Sequence, residues 1–192
     1  MMKRQILLFA TLLWAAIGMA QTDDRLVISE QNKYTYMQVR PLKQDIDLPK
    51  LAKELKKNAV GVKTAVAGAN GITGTGQILI YKKGLITAQE QASITYDLSV
   101  DVKEGKYRLL LTNMVYTPYQ RNRYGVFAPV DGAGTDLEKM KAKLAVKPFN
   151  ELLSTVTTYG AKLERTVNEE VNNAPAQKAK ADTLKRVNTR DW

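Results

Sequence analysis

The 192-residue sequence contains neither cysteine nor histidine. Without cysteine, the chain has no disulfides and no site for an N-terminal lipid anchor, so its stability must come from packing. Without histidine, no Ser-His-Asp or Cys-His arrangement can form, and the usual zinc ligands are missing. Acid–base chemistry would fall to Asp, Glu, Lys or Tyr, and metal binding to hard cations on carboxylates. We therefore expect a protein that is not an enzyme and that uses no cofactor or metal.

Long apolar runs are also scarce, and the one present lies at the N-terminus. Two basic residues precede an apolar stretch over residues 6–17, and Gly18 and Ala20 supply small residues at the −3 and −1 positions read by signal peptidase. The stretch is too short to span a hydrocarbon core of ~30 Å comfortably, and no stop-transfer pattern follows. We interpret residues 1–20 as a cleaved secretory signal and expect the mature chain, from Gln21, to be periplasmic or secreted.

Acidic residues are the scarcer charged group: 29 basic residues against 19 acidic ones give a formal charge of +10. Part of this excess lies in the signal and in residues 172–192, a basic segment without a sustained apolar stripe that we interpret as a disordered tail. Residues 21–171 have a suitable length for one domain. The charge is not densely concentrated in any one element, which favours solubility as its role. Weak contact with an anionic polymer or lipid is the alternative.

The first elements of the predicted domain are a strand and a helix. Residues 33–40 alternate, with Tyr34 and Tyr36 on one face. Asp47 is positioned to cap a helix that has Pro49 in its first turn. The helix has an apolar stripe of Leu48, Leu51, Ala52 and Leu55, and its other side carries Lys50, Lys53, Lys56 and Lys57. We interpret the lysine side as a solvated face.

A glycine-rich segment, Gly71–Gly76, follows a second predicted strand at Val62–Ala67. It has neither the G-x-G-x-x-G spacing nor the Lys-Ser/Thr ending of a phosphate-binding loop, and it precedes a strand instead of a helix. Glycines in a strand commonly mark a bulge or a tight bend. We therefore expect a distorted strand here, not a nucleotide site.

The clearest local structure is a β-hairpin around Glu104-Gly105. Apolar and polar residues alternate on both sides of this two-residue turn, from residue 93 to residue 116. The turn sets Leu98 opposite Leu111 on the apolar face and Asp101 opposite Arg108 on the polar face. Because one register satisfies both faces, we predict this pairing, with Asp101 and Arg108 as a surface ion pair.

The C-terminal half is predicted to be helical after a loop at residues 118–134. Thr135 and Glu138 have the spacing of a capping box. Pro148 predicts a break or kink near Val146-Lys147. Beyond it, apolar residues continue with a period of 3.6 at Phe149, Leu152, Leu153, Val156, Tyr159, Leu163 and Val167.

Three short motifs carry a resemblance to a known family. They are Gly74-Thr75-Gly76 before a strand, the segment from Ile94 to Val100, and above all Glu104-Gly105-Lys106-Tyr107-Arg108-Leu109. In these the sequence resembles a family of exported proteins from Bacteroides-type bacteria, a domain of unknown function with a fold like that of the TATA-binding protein (TBP). The resemblance implies an α+β fold with a single curved antiparallel sheet and helices packed on one face. It implies no activity and no catalytic residues.

The resemblance does not imply DNA binding. The TATA-binding protein forms its saddle from two tandem repeats, and this sequence has no internal repeat. Nucleic acid is also not the expected partner outside the cytoplasm, and fold does not carry function.

The sheet face left free of helices is the candidate partner-binding face. It combines charged, hydroxyl and apolar side chains, which suits an envelope protein, a peptide, a glycan or a second copy of the chain. The candidate residues are Asp101, Arg108, Leu110, Thr112, Met114 and Tyr116. Alternatively, the basic tail or the loop at residues 118–134 folds over this face.

The leading hypothesis is thus a non-catalytic binding or structural module of the cell envelope. One alternative is an enzyme that acts on envelope glycans through carboxylates, with Glu90, Asp97, Asp101 and Glu104 as the available acids. Asp97 and Asp101 would lie ~13 Å apart along one strand, too far apart to flank a single bond. A further alternative is electrostatic binding of an anionic polymer or lipid by the lysine-rich helix and the tail.

Overall fold

The computed structural model describes residues 25–43, 45–83 and 88–173. Within these residues, eight strands and three helices follow one another: β1 (Leu26–Ile28), β2 (Tyr34–Pro41), α1 (Leu48–Asn58), β3 (Val62–Ala67), β4 (Gly71–Lys83), β5 (Ala88–Lys103), β6 (Lys106–Arg121), β7 (Phe127–Pro129), β8 (Thr135–Asp136), α2 (Leu137–Lys143) and α3 (Val146–Asn173). The strands form one antiparallel sheet in the order β1-β2-β6-β5-β4-β3, and β7 and β8 pair with β6. The α+β class with a single antiparallel sheet is confirmed.

The predicted hairpin has the predicted register. Leu98 pairs with Leu111 and Asp101 with Arg108, and Glu104 and Gly105 occupy the turn with positive φ. Both central residues of a type I′ turn require this conformation, and its twist matches that of the strands.

The alternation of β6 breaks at a β-bulge that the sequence pattern does not predict. Asp97 pairs with Thr112 and Thr95 with Val115, so two residues of β6, Asn113 and Met114, lie opposite Tyr96 alone. Asn113 absorbs the distortion with φ of 49°. A single inserted residue moves every following side chain to the opposite face.

This bulge corrects the prediction for two of the candidate residues. Met114 is 1% exposed and belongs to the core, and Tyr116 is half-buried against the same core. Neither side chain therefore lies on the helix-free face.

The core lies between the sheet and the helices. From the sheet it takes the buried side chains of alternate residues, among them Tyr36, Ile72, Leu98, Leu109 and Leu111. From the helices it takes the two predicted apolar stripes. In α1 the buried residues of the stripe are Leu51, Ala52 and Leu55. The predicted cap of this helix is also present, since the Asp47 carboxylate accepts a hydrogen bond from the Lys50 N–H at 3.0 Å.

Helix α3 contributes the long stripe, with Phe149, Leu152, Val156, Leu163 and Val167 all buried. The helix break predicted near Val146-Lys147 is confirmed, and it lies just before them, at Leu144-Ala145. Helix α2 ends at Lys143 and α3 begins at Val146, which leaves Pro148 in the first turn of α3. Proline is tolerated there because the N–H groups of the first turn have no partner within the helix.

The glycines of β4 lie where neighbouring groups approach the backbone closely, in agreement with the predicted distorted strand. A side chain at Gly76 would overlap the ring of Tyr96, and one at Gly74 would overlap the Thr64 backbone of β3. A bulge in β3 lies opposite these glycines, between Val62 and Thr64. The space above Gly76 lets the Tyr96 hydroxyl reach that of Tyr159 on α3, 2.5 Å away.

Two predictions for the region after β6 are wrong. Residues 118–134 are not all loop, because β6 continues to Arg121 and pairs with β7. The capping box is also missing, since Asp136 is the N-cap residue and makes no side-chain cap hydrogen bond. The Glu138 carboxylate instead accepts a hydrogen bond from the Tyr34 N–H at 2.7 Å, which ties α2 to β2.

A buried charge ties α3 to the other end of β2. Glu164 is 7% exposed, and its carboxylate lies 2.8 Å from Arg40 and 3.8 Å from Arg25. Burial and the nearby Glu164 raise the pKa of Tyr107 to about 12, so this tyrosine stays neutral beside the ion pair.

Within the described ranges, no helix is long and apolar enough to cross a membrane. The predicted signal at residues 1–20 and nearly all of the predicted tail at residues 172–192 lie outside the described residues.

Candidate functional site

The sheet face opposite the helices is formed by the side chains that alternate with the core residues. We call it the outer face. Its members, by strand, are Met37 and Val39 of β2, Arg108, Leu110 and Thr112 of β6, Asp97, Ser99 and Asp101 of β5, Thr73 and Thr75 of β4, and Thr64 and Val66 of β3.

Four of the six predicted site residues meet on this face. Asp101 and Arg108 form a cross-strand pair, and Leu110 and Thr112 follow on the same side of β6. The other two, Met114 and Tyr116, are turned into the core by the bulge.

The structure places an apolar strip next to Leu110 that was not predicted from the sequence. Met37 pairs with Leu110 and Val39 with Arg108, and the two β2 side chains are 39% and 46% exposed. We call Met37, Val39 and Leu110 the apolar strip. The alternation that placed Tyr34 and Tyr36 on one face already implied that Met37 and Val39 lie on the other. Only the pairing of β2 with β6 brings them beside Leu110.

The Asp101 carboxylate is held by two donors. The Ser99 hydroxyl donates to it at 2.7 Å, and the Arg108 guanidinium donates through Nη2 at 2.8 Å and Nε at 3.2 Å. Desolvation raises the pKa of Asp101, but the Ser99 hydrogen bond and the hydrogen bonding and charge of Arg108 outweigh it, so the pKa lies below its ordinary value. Asp101 is therefore a fixed anion and not a group poised to donate a proton.

Replacing Arg108 by alanine is expected to raise the pKa of Asp101 toward its ordinary value. Because the folded-state pKa is depressed, the pair stabilises the fold above the ordinary carboxyl pKa, and this contribution disappears as the pH falls through the folded-state pKa. The pair is largely exposed, so the loss of unfolding free energy at neutral pH should be only about 0.2–1 kcal/mol. An NMR titration of the Asp101 carboxyl would measure the shift. Arg108→Lys is the control and should retain part of the depression; an unchanged pKa in Arg108→Ala would contradict the assignment.

Besides the Asp101–Arg108 pair, the bulge places a second set of hydrogen-bonded polar side chains on the outer face. Asn113 donates a hydrogen bond to the Asp97 carboxylate at 2.7 Å, and its side-chain oxygen accepts one from the Lys33 ammonium at 2.8 Å. Asn tolerates the left-handed conformation, so the residue that absorbs the bulge also engages the neighbouring strand.

The carboxylates considered for catalysis are not brought together into a paired site. Asp97 is bonded to Asn113 and Asp101 to Arg108, one on each side of Ser99 along β5. Glu104 is exposed at the turn and lies 3.3 Å from Lys103. A glycosidase needs two carboxyls across one bond, one of them with a raised pKa. In the part of the chain that the structure describes, no group of three or more acidic residues could hold a metal ion.

An open cleft of about 590 Å³ adjoins Asp101 at the end of the outer face. It lies between the β3–β4 turn and β5, and its polar side chains are Asn70, Thr73, Asp101 and Lys103.

The family of this domain follows from comparison with known proteins. The profile described as a domain of unknown function (DUF4468) with TBP-like fold matches residues 50–117. Residues 50–117 belong to the DUF4468 family. The match runs from α1 to β6 and includes most of the outer face, and the resemblance expected from the short motifs is confirmed. No curated protein matches the chain.

Two solved structures are similar to this chain. A DUF4468 family protein from Bacteroides ovatus is 13% identical, with a TM-score of 0.53 over 81% of this chain and 94% of that chain. A TBP-like protein from Parabacteroides distasonis is 11% identical, with a TM-score of 0.44 over 71% of this chain and 93% of that one. At 13% identity, the first of these likenesses establishes the fold and not an activity.

Proposed function

We propose that this DUF4468 protein is an exported, non-catalytic binding module of the cell envelope. Its outer face docks a segment of a partner protein that carries apolar side chains and an acidic flank. The observation that carries this proposal is the apolar strip on a helix-free sheet. Export is supported by the sequence of residues 1–20 alone.

The apolar strip supports partner binding because two of its neighbouring side chains are exposed and the third, Leu110, is half-buried beside them. Met37 is 39% and Val39 46% exposed, and Leu110 lies between their strand and the polar part of the face. Scattered exposed apolar residues are normal, whereas adjacent ones with a polar rim are typical of protein interfaces. The strip is held on two strands that pair with each other, β2 and β6, so little order would be lost on binding.

The rim of the apolar strip supports a partner segment with an acidic flank. At the hairpin end of the outer face, Lys103, Lys106 and Arg108 outnumber Asp101 and Glu104. Arg108 is the basic residue nearest the strip, since it pairs directly with Val39. An acidic group on the partner would complement this rim, which would raise the association rate and fix the orientation.

Site-specific photo-crosslinking in the native host would test the proposal. A photoreactive residue at Met37 or Thr112 should crosslink one partner protein, identified by mass spectrometry, and the same residue at Lys53 on α1 should not. Leu110→Asp should abolish the Met37 crosslink. With the purified partner, Leu110→Asp should weaken binding by about 30-fold or more, the loss typical of a central interface residue. Circular dichroism would check that the variant is folded.

Three outcomes would contradict this function. Crosslinks confined to the chain itself would mean that its own tail or loop covers the outer face, and crosslinks to a second copy would make that face an oligomer interface. Hydrolysis of purified envelope glycan that is lost in Asp97→Asn would instead indicate a carboxylate enzyme.

A further inference from the structure

The exposed side of α1 is a compact basic surface. Its buried residues Leu51, Ala52 and Leu55 face the sheet, and all four of its lysines are exposed. An α-helix turns ~100° per residue, so Lys50, Lys53 and Lys57 lie within about 60° of one another, directly opposite the buried stripe. We call these three residues together with Lys56, which flanks them, the lysine face.

Few acidic groups offset the lysine face. Glu54 is the one acidic residue within α1; it lies on the flank and accepts a hydrogen bond from Asn58 at 2.9 Å. Asp47, at the N-cap, is engaged with the Lys50 N–H. Among the ion pairs of the described residues, none involves a lysine of this face.

An exposed apolar residue follows the end of α1. Val60 follows the C-cap residue Ala59 and is 87% exposed, although Ala59 itself is buried. The Val60 carbonyl accepts a hydrogen bond from the Tyr159 hydroxyl at 2.8 Å, which fixes the backbone at this point. Lysines beside a fixed, protruding apolar residue fit a surface that is anionic outside and apolar beneath.

We infer that α1 docks on an anionic lipid surface. The lysine face contacts the phosphate groups of the lipid heads, and Val60 enters the boundary between heads and acyl chains. Because α1 packs on the sheet face opposite the outer face, a membrane bound there leaves the outer face pointing away from it. This inference goes beyond the proposed function and does not depend on it.

The expected affinity follows from the number of lysines. Each lysine near an anionic membrane surface contributes about fivefold to the partition coefficient, so three contribute about 100-fold. The attraction decays over a Debye length of ~10 Å at 0.1 M salt, so binding should weaken strongly at higher salt.

Co-sedimentation with vesicles would test the inference on the chain from Gln21 onward. Vesicles with about 30% phosphatidylglycerol in phosphatidylcholine should bind the protein at about 0.1 M salt, and pure phosphatidylcholine should not. Lys50→Gln/Lys53→Gln/Lys57→Gln should lower the partition coefficient about 100-fold. Val60→Ser should lower it about three- to tenfold without changing the net charge.

A variant with the same loss of charge elsewhere serves as the control. Lys82→Gln/Lys103→Gln/Lys106→Gln removes three exposed lysines from the sheet hairpins and should reduce binding less than fivefold. Equal loss in both triple variants would overturn the inference, because net charge alone would then explain binding. Binding lost only when the chain is ended at Asn173 would overturn it in favour of the basic tail. Binding to soluble polyphosphate but not to vesicles would overturn it in favour of a free polyanion.

Discussion

Replacing Met114 by aspartate is expected to lower the free energy of unfolding by more than about 5 kcal/mol, enough to unfold most of the protein at neutral pH. Met114 is 1% exposed in the core, because the bulge at Asn113 turns its side chain inward. A carboxylate there would lose its hydration without gaining a partner. Urea unfolding followed by circular dichroism would measure the effect.

The matched substitution is Leu110→Asp, four residues earlier on the same strand. Leu110 lies on the outer face between Met37 and Ser99, where water can reach a carboxylate, so the cost should be about 1 kcal/mol or less. If Met114→Asp were tolerated as well as Leu110→Asp, both side chains would lie outside, as the uninterrupted alternation expected from the sequence places them, and the bulge would be wrong. The pair of variants therefore tests the assignment of residues to the outer face separately from any partner.

Replacing Gly160 by alanine is expected to destabilise the protein by about 2 kcal/mol, although alanine is the better helix former by about 1 kcal/mol. A methyl group at Gly160 in α3 would lie 2.5 Å from two ring carbons of Tyr36, which is fully buried in β2. The helix or the ring must move, and both are packed in the core. The cost of the overlap should outweigh the gain in helix propensity. Thermal or chemical denaturation would measure the net change in the free energy of unfolding.

Two further variants separate packing from propensity at Gly160. Ser154→Ala, at an exposed site on the same helix, should be neutral or slightly stabilising because only propensity acts there. Combining Gly160→Ala with Tyr36→Leu should cost less than the sum of the two single losses, since the smaller side chain relieves the overlap. A stabilised Gly160→Ala protein would mean that α3 does not lie this close to β2.

Local sequence patterns determined most of the fold. The hairpin register follows from residues that must satisfy both faces at once, Leu98 with Leu111 and Asp101 with Arg108. The cap at Asp47 and the two helical stripes follow from spacing within single helices. Such patterns act over a few residues, so they can be read without knowing what packs against them. The three short motifs were likewise enough to predict the family.

Tertiary structure decided which residues of β6 form the candidate site. Alternating residues continue through Asn113, so nothing local separates an unbroken strand, with Met114 outside, from a bulged one, with Met114 inside. Two properties favour the bulge: Met114 prefers the core, and Asn113 tolerates positive φ. The hydrogen bond from Asn113 to Asp97 on the adjacent strand stabilises it further. The apolar strip depends in the same way on the pairing of β2 with β6, across about 70 residues of chain.

Competition for polar partners explains the other differences between the sequence-based expectations and the structure. Glu138 has the right spacing to cap its own helix, yet its carboxylate accepts from the Tyr34 N–H, 104 residues away in sequence. Glu164 looks like one more polar residue on a helix but is buried against Arg40 and Arg25. A polar group that loses water takes the partner that packing brings to it, and spacing along the chain does not contain that information. The sequence by itself therefore determined the elements, the hairpin register and the family, and tertiary packing determined which side chains face the solvent together.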